Sequence, residues 1–264
     1  MGGLRLQKFL AKHGPGCSRR RAEEAIARGE VLVDGEVAGI GTCLQNAQQI
    51  IVWNGQRVLA DGRDHRTVLA LNKPIGYVCT HRDPHWHDDK TIFSLLPSHH
   101  SRMICCGRLD RDSEGLILLT DDGQLANRLM HPSHGVAKFY HVAIDRPLHR
   151  GHLQKCLAGI LDGDDLLHMD ALQAHGGDWR MLDVQLGGGK KRHIRRMLTA
   201  LGYQITALRR YRIGNFFLAN LRPGHCKTLG EKELIQLLSP VAQPNAEKMA
   251  SAANSSTVRI PRRQ

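Results

Sequence analysis

The sequence predicts an α+β protein made of two unequal domains, and three observations carry that prediction. Residues 1–62 read as two short helices followed by strand hairpins. Beyond them, strand-like and helix-like segments alternate irregularly, without the even strand–helix–strand rhythm of a parallel sheet. The chain of 264 residues is also 41% hydrophobic, enough for a real core and longer than the roughly 100–200 residues of one ordinary domain. The expected divisions are 1–62, 63–240 and a tail over 241–264.

Each element has its own signal. Leu6, Phe9 and Leu10 fall at helical spacing, and Gly14 ends that helix. Ser18 is placed to N-cap a second helix through Ala22, Ala25 and Ile26, stopped by Gly29. Val31–Val33 and Glu36-Val37 flank an Asp34-Gly35 turn, and Ile50–Trp53 leads into Asn54-Gly55. Asp61–Arg66 is a polar linker. Val68–Leu71 reads as a buried strand running into Asn72-Lys73-Pro74-Ile75-Gly76, and Leu116–Leu119 as another. Over 192–201, Ile194, Met197, Leu198 and Leu201 form one apolar stripe, Gly202 ends it, and Arg192, Arg195 and Arg196 lie off it. From Pro240 onward the chain is polar, aperiodic and rich in Pro, Ala and Ser, which predicts a disordered basic tail.

The charge points to an anionic partner. Lys and Arg number 37 against 25 Asp and Glu, a formal +12. Residues 190–212 hold Lys190, Lys191, Arg192, Arg195, Arg196, Arg209, Arg210 and Arg212 with no acid among them. Because like charges on one helix repel, such a run is read as awaiting phosphates from outside. A second cluster, Arg19, Arg20 and Arg21, opens the second helix, where the dipole disfavours an exposed cation by about 0.3–1 kcal/mol each. Together with Ser18 and the free N–H groups of that turn, it is a candidate phosphate grip. No stretch approaches the ~18 apolar residues of a membrane span, and the charged start is not read as a secretory leader. Seven scattered cysteines with no CxxC argue for a reducing, cytoplasmic setting.

Several chemistries fall away on spacing. Asp110, Asp112, Glu114, Gly115 and Asp121 imitate a calcium loop, but Leu118 stands at a ligand position inside an apolar run. Gly187-Gly188-Gly189-Lys190-Lys191 lacks the spacer and hydroxyl of a nucleotide loop. The sixteen histidines show no metal-ligand spacing, so no metal is expected. Cys105-Cys106 is read as a pair of small buried hydrophobes.

The segment Gly107–Gly123, GRLDRDSEGLILLTDDG, resembles the catalytic block of the bacterial rRNA pseudouridine synthases of the small-subunit-type (16S/23S) family. Leu71–Gly76, Lys138-Phe139-Tyr140 and Gly189–Met197 are similar to three further blocks of that family. Residues 4–37, with Ser18-Arg19-Arg20 and Gly29-Glu30-Val31, resemble an S4 RNA-binding core. The resemblance implies an S4 domain joined to a catalytic domain built on a mixed, mainly antiparallel sheet with flanking helices. It implies Asp110 as catalytic residue, Tyr140 lining the site and Arg195 paired with Asp110. Departures are Ser113 and Asp121 for the commoner Thr and Asn, Gly188 for Glu, His193 for Gln and Asp34 for Asn.

The chemistry agrees. Making pseudouridine breaks N1–C1′, turns the base and rejoins it through C5, which asks for one carboxylate and no redox or group-transfer cofactor. Arg195 would keep Asp110 ionised in a buried loop, and Tyr140 would offer a flat face to uracil. Arg108 would fill the space of a flipped base, while Lys190, Lys191, Arg192 and Arg196 would face RNA. The expected partner is ribosomal RNA, free or in pre-ribosomal particles, with the large-subunit (23S) molecule favoured. Nothing resembles a coiled coil, so a monomer is expected. The competing readings are a non-catalytic S4-type RNA-binding or ribosome-assembly factor, and a nucleoside hydrolase using Asp112 as second carboxylate.

Overall fold

The computed structural model describes residues 3–14, 18–46, 48–60, 67–80, 90–100 and 103–241. The linker expected at 61–66 and the tail beyond Val241 lie outside the described residues. Contacts divide the chain into two compact units, Met1–Arg66 and Thr67–Gln264.

The first unit runs β1 (Leu4–Arg5), α1 (Leu6–His13), α2 (Arg19–Ala27), β2 (Val31–Val33), β3 (Glu36–Val37), β4 (Cys43–Leu44), β5 (Ile51–Trp53) and β6 (Gln56–Val58). Ser18 Oγ accepts from the Arg21 N–H at 3.2 Å, which fixes the start of α2. Strands β2, β3, β5 and β6 form one antiparallel sheet in the order β3-β2-β5-β6, and β1 pairs with β4. Asp34-Gly35 and Asn54-Gly55 all take positive φ, the conformation that lets two-residue turns follow the twist of the strands they join. The core holds Leu6, Leu10, Ala22, Ala25, Ile26, Val31, Ile51 and Trp53. Arg19, Arg20 and Arg21 stay exposed on the first turn of α2.

The second unit contains β7 (Val68–Lys73), β8 (Ile104–Cys105), β9 (Glu114–Thr120), α3 (Gly123–Met130), β10 (Lys138–Ile144), α4 (Arg150–Ala158), β11 (Ile160–Asp162), β12 (Asp165–Leu167), β13 (Ala171–His175), β14 (Asp178–Leu186), α5 (His193–Ala200), β15 (Ile205–Ile213), β16 (Phe216–Phe217), β17 (Cys226–Thr228) and α6 (Glu231–Leu238). Its main sheet runs β13-β14-β10-β15-β9-β7-β17, with β8 on β9 and β16 on β15. Every pairing in it is antiparallel except β15 with β9. The protein is α+β.

Burial explains which strands lack alternation. β7 is buried at every residue and β9 at all but Glu114, because both faces of that half of the sheet are covered. Leu69, Leu71, Ile117 and Leu119 join one core with Ile194, Met197 and Leu198 of α5. Val68, Ala70, Leu116 and Leu118 join another with Ala126 and Leu129 of α3 and Leu237 of α6. β10 alternates strictly, with Tyr140, Val142 and Ile144 buried and Phe139, His141 and Ala143 only partly so.

Candidate active site

Asp110 lies in the loop between β8 and β9, and a buried lysine builds that loop. Lys73, at the end of β7, is fully enclosed and donates to three carbonyls: Pro74 at 3.1 Å, Asp110 at 3.1 Å and Ser113 at 2.7 Å. An ammonium group has three protons, and here all three are used. Burial lowers its pKa, while the nearby Cys79, Asp112 and Asp110 resist the change. The loop is pinned further by Gly76 N–H to Arg111 O at 2.8 Å and Arg111 Nε to Gly76 O at 3.1 Å. Leu109, buried beside Asp110, anchors it to the core.

Arg195 crosses this loop from α5. Its Nη2 donates to Asp112 O at 2.9 Å and to Ser113 Oγ at 3.1 Å, and its Nη1 lies 3.3 Å from Asp112 Oδ2. Nε faces Asp110 Oδ2 at 3.8 Å and is buried without a hydrogen-bond partner, so one donor is left aimed at the carboxylate. The guanidinium is 12% exposed, against 31% for the Asp110 side chain, so the cation is held in protein and the carboxylate is reachable. Arg192 adds a second guanidinium, 3.8 Å from Asp110 Oδ2 and 3.4 Å from Asp112 Oδ2. It sits at φ +54, immediately before α5, which turns its side chain back across the loop.

Tyr140 is buried in the centre of the sheet, between β14 and β15, in the same apolar cluster as Leu109 and Ile194. Arg108 is exposed at the loop's entry, and its carbonyl lies 3.5 Å from Arg210 Nη1. The arrangement offers a partly open carboxylate with two guanidiniums beside it. That is the equipment for nucleophilic or basic attack on a polar substrate with an anionic backbone.

Several expectations need correction. Asp112 does not stand apart as a spare base, since both guanidiniums of the site engage its carboxylate. The unneutralised reading of residues 190–212 fails in three dimensions. Arg196 Nε bonds the Asp162 carboxylate, its Nη2 donates to Asp162 O at 2.8 Å, and its Nη1 donates to Asp165 Oδ2 at 2.8 Å. Lys190 Nζ meets Asp165 Oδ1 at 2.5 Å. Those two cations tie α5 and the loop before it to the β11–β12 hairpin rather than waiting for phosphate. Arg210 is buried and donates to Leu116 O at 2.7 Å, and Arg212 donates to Gly214 O and to Asn215 Oδ1. Lys191 and Arg209 remain exposed, with no acidic partner among the described residues. Ser18 spends its hydroxyl on the α2 cap.

Lys73, Arg210 and Cys79 belong to the site's support, a role that the sequence did not indicate for any of them. Cys79 Sγ lies 3.4 Å from both the carbonyl and the N–H of Leu109. A hydrogen bond from Cys105 and the charges of Lys73 and Arg210 lower its pKa. Lys73 left a readable trace, as a charge closing a strand that is apolar up to Asn72.

The profile of the RNA pseudouridylate synthase family matches residues 67–200, and that of the S4 domain matches residues 4–41. An RNA pseudouridine synthase of Mycobacterium leprae is 38% identical over 247 residues, covering 91% of this chain and 94% of its own. The chain belongs to the RNA pseudouridine synthase family. A ribosomal large subunit pseudouridine synthase B of Vibrio vulnificus is 34% identical, covering 97% of this synthase and 81% of its own length. A solved pseudouridylate synthase superposes with a TM-score of 0.62 at 29% identity, over 89% of this chain and 100% of that one. The matched span of the synthase runs from β7 through α5 and so contains Lys73, Asp110, Tyr140 and Arg195. Among the described residues no helix is long and apolar enough to cross a membrane.

Proposed function

We propose that this pseudouridine synthase isomerises uridine in large-subunit ribosomal RNA, with Asp110 as the catalytic carboxylate. The observation that carries the assignment is Asp110 itself, in a loop pinned by Lys73 and faced by the unpartnered Nε of Arg195. The target RNA follows from two relatives that bear the name ribosomal large subunit pseudouridine synthase B, one of Vibrio vulnificus and one of Pseudomonas aeruginosa at 36% identity. Asp110 acts near C1′ or C2′ as nucleophile or base while the N1–C1′ bond breaks, and the turned base rejoins through C5. Arg195 and Arg192 hold the carboxylate charge in place, and Tyr140 offers its ring to the uracil. The uridine leaves its stack at a cost of a few kcal/mol, and Arg108 fills the vacancy.

Residues 1–62 act as the S4 RNA-binding domain, with Arg19, Arg20 and Arg21 on phosphate, and residues 63–240 carry catalysis. The protein works as a cytoplasmic monomer on free rRNA or on pre-ribosomal particles. Asp110, Tyr140 and Arg195 together support a working centre over a non-catalytic assembly factor, which has no chemical need for all three.

Asp110→Asn tests the assignment. The amide keeps shape and hydrogen bonding but cannot attack or take a proton, so pseudouridine formation should vanish while RNA affinity stays within a few-fold. Turnover by the purified variant would refute the role of Asp110. Comparing large- and small-subunit rRNA as substrates for the wild type decides the target independently.

A further inference from the structure

In the main sheet, β13, β14 and β10 bury one face only. Tyr140, Val142, Leu182 and Val184 point into the core, so His141 and Asp183, each next to them in its strand, point to the opposite side. His141 and Asp183 are register partners on neighbouring strands. An irregularity between Ala174 and His175 at the end of β13 brings a third side chain to the same place, as bulges often do when they re-aim a residue. His141 Nδ1 lies 2.7 Å from Asp183 Oδ1, and His175 Nδ1 lies 3.1 Å from Asp183 Oδ2. All three ligand-type atoms fall within 4.8 Å of one another. The Tyr211 ring stacks on the His141 imidazole at 3.9 Å and 9°, which fixes the ring plane.

We propose that His141, His175 and Asp183 form a binding site for a divalent first-row transition ion of the zinc class, separate from the Asp110 centre. Two imidazoles and a carboxylate suit zinc, cobalt, nickel or copper and do not suit the hard, oxygen-seeking magnesium and calcium ions. Ligands at about 2.0–2.1 Å from a tetrahedral ion stand ~3.3 Å apart, so the widest spacing in the cluster, 4.8 Å, closes by about 1.5 Å, shared between its side chains. Both Nδ1 atoms face the Asp183 carboxylate. With Nδ1 as the ligand, each imidazole carries its proton on Nε2. Three protein ligands leave a fourth position for water. The side chains of His141, Asp183 and His175 are 31%, 18% and 52% exposed, so an ion can enter from solvent without opening the fold. The bound ion would join β10, β13 and β14 on the face that the helices leave uncovered.

The sequence pattern could not show this site, because its members lie on three strands, 42 and 8 residues apart. The other histidine contacts among the described residues, such as His168 with Asp170, bring two groups together rather than three.

The test uses the full chain, stripped of metal by a chelator and titrated with Co2+, followed by absorption, and then with Zn2+ in competition. The wild type should take up one tight ion per chain with the visible bands of a four-coordinate nitrogen–oxygen site, and its melting temperature should rise with Zn2+. His175→Ala removes a half-exposed ligand with little risk to folding, and Asp183→Asn removes the charge. Each should weaken the tight site by more than the roughly 10–100-fold that loss of a mere outer partner costs. Both variants should keep pseudouridine formation, since the site lies on the other face of β10 from Tyr140. The proposal fails if the wild type binds no tight ion. It also fails if His175→Ala, shown folded by circular dichroism, binds Co2+ as tightly as the wild type, which would place the ion on other histidines.

Discussion

Lys138 opens β10 with its ammonium group buried, donating to Val136 O at 2.8 Å and facing no acid among the described residues. Burial, with the charge of Arg210 adding to it, lowers its pKa from 10.5 to about 8. The folded chain therefore holds this proton less tightly than the unfolded one. The sign follows: the cost is fully present below pH 8 and is relieved as pH rises toward 10.5. A gap of that size corresponds to about 3 kcal/mol. Lys138→Met should be more stable than the wild type at pH 7 by about 2 kcal/mol, after the lost hydrogen bond is allowed for. That advantage should shrink steadily between pH 8 and 10.5 in denaturant unfolding of the two proteins side by side. A difference independent of pH would show that folding leaves the pKa of this lysine unchanged. Single residues of this kind were the least legible part of the sequence. Lys73, Lys138 and Arg210 look like surface charge in a one-dimensional reading, because burial of a cation depends on carbonyls contributed by distant loops. Asp110, Tyr140 and Arg195 stood out only through the motifs around them.

At the scale of elements, β9 and α5 decide where the loop and its guanidinium meet. The apolar stripe of α5 was readable, and Ile194, Met197 and Leu198 are buried as the spacing required. The fate of its arginines was not, because Asp162 and Asp165 reach Arg196 from 34 and 31 residues away. A charge sum along the chain cannot see a partner brought in by folding. Gly115 makes the parallel contact of β9 with β15, opposite Arg210. A Cβ there would lie 2.2 Å from the Arg210 carbonyl oxygen, and the residue's φ is +109. Both the collision and the backbone conformation oppose any side chain. Gly115→Ala should cost about 4 kcal/mol and lower the melting temperature by roughly 10 °C for a unit of this size. Because Arg210 also bonds Leu116 O and approaches Arg108 O, a folded remnant should turn over slowly even at saturating RNA. Scanning calorimetry beside single-turnover assays separates the two effects, and an unshifted melting point would mean that the strands can part without penalty.

For the whole molecule, the sequence announced a helix–helix–hairpin unit ahead of a larger α+β unit, since local turns and periodicity carry that information. The strand order β13-β14-β10-β15-β9-β7-β17 was not legible, because each neighbour pair is chosen by long-range packing rather than by local pattern. Arg19, Arg20 and Arg21 belong to the first unit and Asp110 to the second, so the proposed binding and the proposed chemistry can be tested apart. The three arginines are exposed on the first turn of α2, where the capped helix start adds its own partial positive charge. Replacing all three with Ala leaves the α2 cap and the buried residues of that unit untouched, so the unit should keep its fold. Each phosphate contact contributes at most about one unit to the slope of log K against log salt. The triple variant should therefore bind its rRNA more weakly at low salt, with a slope shallower by roughly two. At saturating enzyme its single-turnover rate should match the wild type, because Lys73, Asp110, Tyr140 and Arg195 are unchanged. An unchanged salt slope would make the cluster surface decoration, and a collapse of the saturated rate would mean that the first unit helps to build the catalytic centre.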